Sequence, residues 1–386
     1  MPLRDVTVLD FSRFLPGPYC SLLLADQGAD VIRIEQPREV AKKEAVFGHD
    51  KLSPAAKRAV KAREMTARNK RSVMLDLKLP AARDAIVKLI ERSDVLLHDY
   101  RPGVMEGARL DYPTVQSINP RIVYCAITLC GQDGPYRDLP GHDPIALALA
   151  GALGRFGAGV EAPHVPGVPA GDILTGTHAA FGILAALRER DRSGRGQLVD
   201  VAMSDCALAM MTSVFQRTLA DGHEPPLEWQ GGNVGLWRTK DGNHICMTDL
   251  EPAYWQKFCR FVGREDLLPL GYDSKQREHL RAELAALFLT RTRDEWFELL
   301  RANENQVAPV YGIQEALRDP HARARGTIID IEDAELGRIT QIGPAIKFSN
   351  TPASIRHLAK PAGADTHSVL QELGLTSEEI ARLAPT

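Results

Sequence analysis

Short apolar runs alternate with stretches of helical periodicity through the first half of the chain. Val6 to Phe11 reads as a buried strand, and Pro16-Gly17-Pro18 opens a helix that runs through Cys20 to Asp26 and ends at Gly28. Ala29 to Glu35 is a second strand, giving a compact strand–helix–strand unit of the kind that builds parallel sheets. Ser72 to Leu77 then reads as a strand, Pro80 to Arg92 as a helix, Asp94 to His98 as a strand, and Ile122 to Thr128 as another. Tyr100-Arg101-Pro102-Gly103 is a turn at a strand end. Ligands of such sheets lie beyond the carboxyl ends of the strands, which is where Arg101 and the 128–135 loop fall.

The pattern changes further on. Residues 154–171, rich in Gly, Pro and Ala, read as a loop, after which Asp172 can cap a long apolar helix from Leu174 to Arg192, closed at Gly194. Gln197 to Phe215 mixes strand and helix signals. Beyond it comes a strand pair, Val234 to Arg238 and His244 to Thr248, turning at Asp241-Gly242. Helices are expected at Pro252 to Val262, Arg277 to Leu289 and Arg293 to Arg301, with two more near His367 and Ser377. The expected organisation is a large α/β domain over 1–205, a linker at 206–227, a small α+β domain at 228–317, a linker at 318–340, and a return to the large domain over 341–386.

Three ionisable residues share one local grammar: each stands at a helix start. His142 precedes Asp143-Pro144, with Asp143 as the expected N-cap and Pro144 as the first helical residue. Asp172 follows Gly171, and Glu251 directly precedes Pro252. A helix N-terminus disfavours imidazolium, so a partly buried, neutral His142 would suit a general base. Free N–H groups at such a terminus also suit a developing oxyanion. Taken alone, the tetrapeptide 141–144 reads first as a structural histidine beside a capped helix, and Asp172 and Glu251 in isolation read first as caps.

Composition narrows the class. The 386 residues are 44% hydrophobic and 25% charged, ordinary for a globular protein of two or three domains. A formal net charge of −3 gives no pull towards nucleic acid. The expected setting is cytoplasmic, without membrane or nucleic-acid partners. The six dispersed cysteines form no CxxC pair, so reduced thiols are expected and no metal site. No GxGxxG follows the first strand, which argues against a dinucleotide oxidoreductase. Basic residues gather at Arg68-Asn69-Lys70-Arg71, with Arg33 and Arg101; arginine forks suit phosphate. Residues 40–64 are densely charged and helix-prone. Met203, Met210 and Met211 are of a type that lines acyl pockets, though at this spacing such residues are more often ordinary core.

Together these segments resemble the family III CoA-transferase and α-methylacyl-CoA racemase superfamily. The resemblance rests on Val8-Leu9-Asp10 with Pro16-Gly17-Pro18, residues 28–35, Arg68-Asn69-Lys70-Arg71 with Leu75-Asp76-Leu77-Lys78, and Arg101-Pro102-Gly103. It extends through Gly131-Gln132-Asp133-Gly134-Pro135, Gly171-Asp172, Gly194-Arg195-Gly196-Gln197 and Asp319-Pro320-His321. Its racemase branch looks like Gly141-His142-Asp143 and Leu250-Glu251-Pro252; transferases usually carry an aromatic residue where His142 stands. Pro144-Ile145-Ala146 departs from the Asn-aromatic pair usual in racemases.

The resemblance implies a Rossmann-like parallel-sheet domain, a smaller α+β domain and an intertwined homodimer. It implies an acyl-CoA substrate, with coenzyme A as part of the thioester and no prosthetic group. The implied reaction is racemisation or epimerisation of a 2-methyl-branched acyl-CoA, as in fatty acid metabolism, by 1,1-proton transfer through an enolate. His142 and Asp172 are the acid/base pair, Glu251 orients His142, Asp143 supports it, and N–H groups at the Asp172 helix start hold the enolate oxygen. CoA phosphates would meet Arg33, Arg68, Lys70, Arg71 and Arg101. The alternative is a CoA-transferase working through a covalent Asp172 intermediate. A nucleotide-binding module without catalysis is a third reading.

Overall fold

The computed structural model describes residues 1–156, 163–226 and 232–383. Part of the expected 154–171 loop, the end of the 206–227 linker and the first residues of the 228–317 segment lie outside the described residues. Two compact units emerge: residues 1–215 with 323–386, and residues 216–322.

The first unit is built on a six-stranded sheet. Its strands are β1 (Thr7–Asp10), β2 (Asp30–Glu35), β3 (Lys70–Met74), β4 (Val95–His98), β5 (Val123–Thr128) and β6 (Leu198–Ala202). Their order is β3-β2-β1-β4-β5-β6 and every pairing is parallel. Both faces of β1 are covered, which is why Val8 and Leu9 are fully buried and the strand reads as a continuous apolar run. Leu9, Ile34, Val73 and Leu96 pack on one face against the Pro80–Arg92 helix and the C-terminal helix Thr366–Glu372. Val8, Val31, Leu97 and Ile127 face the Pro16–Asp26 and Ala170–Ser193 helices on the other. The order reverses between β1 and β4. Successive crossovers leave in opposite directions there, opening a crevice at the strands' carboxyl ends.

Of the helices described, Ala170–Ser193 is long and apolar enough to cross a membrane by length and composition. Its Thr175, Ala179 and Ile183 are nonetheless wholly buried in this unit's interior. All six cysteines are free.

β3 starts two residues earlier than the pattern suggested. Lys70 and Arg71 pair with Val31 and Ile32 of β2, so two charged residues that the apolar pattern left outside belong to the strand. The charged stretch 40–64 holds two helices, Pro37–Val46 and Pro54–Ala62. The segment 318–340, expected to be a linker, carries most of an antiparallel pair, β10 (Ile328–Asp333) and β11 (Gly337–Ile342), in which Ile331 pairs with Ile339.

The second unit holds the expected strand pair, β7 (Val234–Arg238) and β8 (His244–Thr248), extended by β9 (Val307–Pro309) into a three-stranded antiparallel sheet. Its core is aromatic: Trp237, Trp255, Phe258, Phe288 and Trp296 are all 3% exposed or less. Thr292 and Glu295 form a reciprocal capping box at the start of the Arg293–Ala302 helix.

Candidate active site

A cleft of about 320 Å³ opens at the carboxyl ends of β1, β4 and β5. His142 and Asp172 both line it, with Arg13, Phe14, Asp99, Tyr100, Arg101 and Met203. This is the crevice the strand order requires, so the site's place follows from topology.

His142 is the N-cap residue of the Asp143–Leu149 helix, in extended conformation, and its carbonyl accepts the N–H of Ile145 at 2.9 Å. The expected cap, Asp143, lies one position inside the helix. Gly141 precedes them because a Cβ there would stand 2.8 Å from Leu129 and 3.0 Å from Ile145. The imidazole is exposed at the cleft mouth, not half-buried as expected. The Phe14 ring meets it edge-on, with centroids 5.4 Å apart at 73°.

Asp143 still caps a helix, but a different one. Its buried carboxylate accepts the backbone N–H of Asp172 at 2.9 Å. That bond satisfies an orphan donor in the first turn of the Ala170–Ser193 helix. Asp172 is therefore a first-turn residue rather than the cap, and the helix begins before it. Gly171 makes the contact possible, since a Cβ there would lie 2.9 Å from the Asp143 carboxylate. The expected oxyanion donors at this terminus are largely engaged: Ala170 N–H bonds Val168 O, Asp172 N–H bonds Asp143, and Ile173 N–H bonds Pro169 O.

Asp172 is partly buried, and burial, then the charges of Asp143 and Asp99, push its carboxyl up to about 6. Asp99, at the end of β4, is also raised to about 6 by burial, although Arg13 opposes the shift. Asp99, Arg13 and Phe14 were not among the residues singled out from the sequence. The signal was there: all three stand just past strand ends, on the rim where ligands bind.

The expected phosphate ligands differ in their surroundings. Arg68 is 3% exposed; its guanidinium holds Asp26 at 2.6 and 3.1 Å and also donates to Ile342 O. Lys70 is 2% exposed, bonded to Ser21 Oγ at 2.6 Å and lying 3.5 Å from Asp10, and burial lowers its ammonium to about 8. Arg33, 6% exposed, sits between Glu35 and Glu64. Arg71 is bridged by Asp30 and Glu372. Among the described residues, Arg101 alone of the five has no carboxylate partner; it is exposed and donates to Asp138 O at 2.6 Å. The helices of the 40–64 stretch border a second cleft, of about 580 Å³, whose wall includes Lys43, Lys57, Arg58, Lys61 and Arg63.

Glu251 belongs to the other unit. It caps the Pro252–Phe261 helix by position, and its carboxylate accepts a bond from Gln306 Nε2 at 3.0 Å. Buried Asp249 anchors that turn, accepting from Asn305 Nδ2 at 2.7 Å and Gln306 N–H at 2.8 Å.

A parallel α/β sheet with paired titratable groups over its switch point is the architecture of an enzyme of small-molecule substrates. Residues 3–366 match CoA-transferase family III, and the chain belongs to that family. It is 30% identical to a succinyl-CoA–D-citramalate CoA-transferase of Chloroflexus aurantiacus, over 99% of this chain and 96% of that protein. It is also 30% identical to the human α-methylacyl-CoA racemase, over the same shares of both chains. A solved CAIB/BAIF family protein from Brucella suis superposes with a TM-score of 0.81 at 25% identity, covering 97% of this chain and 99% of that one.

Proposed function

We propose that the protein is an α-methylacyl-CoA racemase or epimerase, acting on a 2-methyl-branched acyl-CoA. The observation that carries this reading is that His142 and Asp172, a carboxyl whose proton affinity burial raises, line one cleft. Racemisation needs two acid/base groups, one for each face of the α-carbon. The thioester carbonyl acidifies the α-hydrogen. One group removes it, leaving a planar enolate, and the other returns a proton to the opposite face. His142 and Asp172 take these roles. A carboxyl raised to about 6 exchanges protons near neutrality far more readily than an ordinary aspartate. Asp143 holds the Asp172 turn, and Glu251, reaching His142 within an intertwined homodimer, orients its ring. Arg101, exposed at the cleft and without a carboxylate partner among the described residues, meets the phosphates of CoA. No prosthetic group enters this scheme.

The second reading is a CoA-transferase in which Asp172 attacks the thioester and carries the acyl group and then CoA. Whole-length relatives named as CoA-transferases favour it. One experiment separates the two. The protein is incubated in D₂O with a range of 2-methylacyl-CoA thioesters, and α-deuterium is followed by mass spectrometry. Deuterium incorporation lost in His142→Ala is the expected result. Absence of exchange, with hydroxylamine-sensitive acyl or CoA adducts on Asp172, would overturn the racemase reading in favour of the transferase.

A further inference from the structure

Within the single chain His142 is held by packing and not by a hydrogen bond; the Glu251 contact proposed above would come from the other protomer. Among the described residues no side-chain hydrogen bond holds its ring, and the cleft mouth leaves it exposed. What touches it is Phe14, an aromatic residue that is itself 51% exposed. An exposed phenyl ring at the end of a turn is free to rotate and drift unless the turn beneath it is fixed.

That turn is fixed from β4. The Asp99 side chain is 5% exposed, and its Oδ2 accepts the backbone N–H groups of both Arg13 and Phe14, each at 2.7 Å. Its Oδ1 takes Arg13 Nε at 3.3 Å. The Arg13 guanidinium lies over the Tyr100 ring, 3.8 Å from the centroid, and reaches Glu39 at 3.2 Å. Tyr100 in turn accepts a bond from Gln36 Nε2 at 2.8 Å. Two consecutive N–H groups gripped by one buried carboxylate leave the turn little backbone freedom. The Phe14 Cα is then set, and with it the face presented to His142.

We propose that Asp99 is a positioning residue that orients the His142 imidazole through the Arg13–Phe14 turn. It touches no substrate in this role. It acts through Phe14, whose ring edge limits the imidazole to one tilt over the cleft. The proposal deepens the racemase reading, in which His142 is one of the two proton-transfer groups, and rests on that reading for its catalytic consequence.

The test compares three variants of the full chain. Asp99→Ala removes the carboxylate that holds both N–H groups of the turn, Asp99→Asn keeps an acceptor oxygen for them, and Phe14→Leu removes only the exposed ring. The first readout is the ¹H–¹³C signal of the His142 ring, assigned with His142→Asn, in the protein without substrate. Phe14→Leu and Asp99→Ala should both shift it through loss of the phenyl ring current, Asp99→Asn less so, while His279 in the other unit stays unmoved. The second readout is α-hydrogen exchange: kcat should fall tenfold or more in Asp99→Ala and Phe14→Leu, with KM changed less than threefold. An unchanged His142 signal in folded Phe14→Leu would overturn the proposal, whatever the activity. Shifted His142 signals in the variants, where the wild-type protein itself exchanges no α-hydrogen, would refute the racemase reading and leave the turn's control of His142 standing.

Discussion

Asp143 and Asp172 are joined by one hydrogen bond, from the backbone N–H of the second to the carboxylate of the first at 2.9 Å. The bond couples the two helices that flank the cleft, because His142 is the residue next to Asp143 and Asp172 lies in the first turn of the other helix. It also puts a negative charge near the Asp172 carboxyl, the second cause of that group's raised proton affinity. Two substitutions separate these effects. Asp143→Ala should cost ~1–2 kcal/mol in urea unfolding, the usual loss for a helix cap. Asp143→Asn keeps an acceptor oxygen and should cost under ~0.5 kcal/mol. Both should draw the Asp172 carboxyl down from about 6 towards its ordinary range, moving the acid limb of the pH–rate profile to lower pH. A pH profile unmoved in Asp143→Asn would show that the two carboxylates do not interact.

Asp172 also predicts a pH dependence of stability. Its folded carboxyl is raised, so the native state binds the proton more tightly than the unfolded chain does. That contribution is fully present below the ordinary aspartate pKa and is lost as pH rises through about 6. Asp172→Asn removes the dependence. Relative to wild type, the variant should gain ~1 kcal/mol at pH 8, a figure reduced because the group is only partly buried, and nothing near pH 4. Differential scanning calorimetry across this range reads it as a Tm difference that grows with pH. A constant difference at all pH values would count against the raised carboxyl. Stability gained by deleting a cleft-lining group that the proposed reaction uses is the expected sign where function demands strain.

Much of this architecture was legible in the sequence. The Pro80–Arg92 helix and the β7–β8 pair appear with the ends the pattern suggested, because proline starts and Asp-Gly turns are local signals. β9 is three residues long, and the β10–β11 ribbon has every position of β10 exposed or half-exposed, so neither leaves a strong apolar signature. In the site, helix-start grammar was enough to single out His142 and Asp172. It misplaced the caps, since the partner that satisfies Asp172 N–H lies 29 residues away. The same limit hid the fate of Arg68 and Lys70. A basic run looks alike whether it faces solvent or reaches Asp26 and Asp10, 42 and 60 residues distant.

Gly176 sets how closely the Asp172 helix approaches the first helix. A Cβ there would stand 2.6 Å from Pro16 O, 3.0 Å from the Tyr19 ring and 3.2 Å from Cys20 N. Two of these are backbone atoms and cannot step aside. Gly176→Ala should destabilise by ~1–3 kcal/mol, since overpacking outweighs the gain in helix propensity. Pro16 lines the cleft, so the same change should lower exchange activity more than the stability loss accounts for. Urea midpoints and initial rates at a temperature where the variant is fully folded test both. A stabilised variant would mean the helices have room to part.

Arg68 and Arg101 resemble one another in sequence as candidate phosphate ligands, and their surroundings set them apart. Arg68 is a buried ion-pair partner of Asp26, with a further bond to Gln341. Removing one side of such a pair leaves the other charge unpaired away from water. Arg68→Ala should therefore cost ~3–5 kcal/mol, and its CoA affinity, measured where it is folded, should match wild type. Arg101→Ala loses an exposed side chain at the cleft mouth, so its stability should change by under ~0.5 kcal/mol. Its affinity for free CoA should fall several-fold at low salt and converge towards wild type at high salt, as screening weakens the interaction being deleted. Isothermal titration calorimetry of CoA into both variants at two ionic strengths reads the contrast. Equal affinity of Arg101→Ala and wild type at low salt would remove Arg101 from the phosphate site. A salt-dependent affinity loss in folded Arg68→Ala would place phosphate recognition on the buried side of β3 instead.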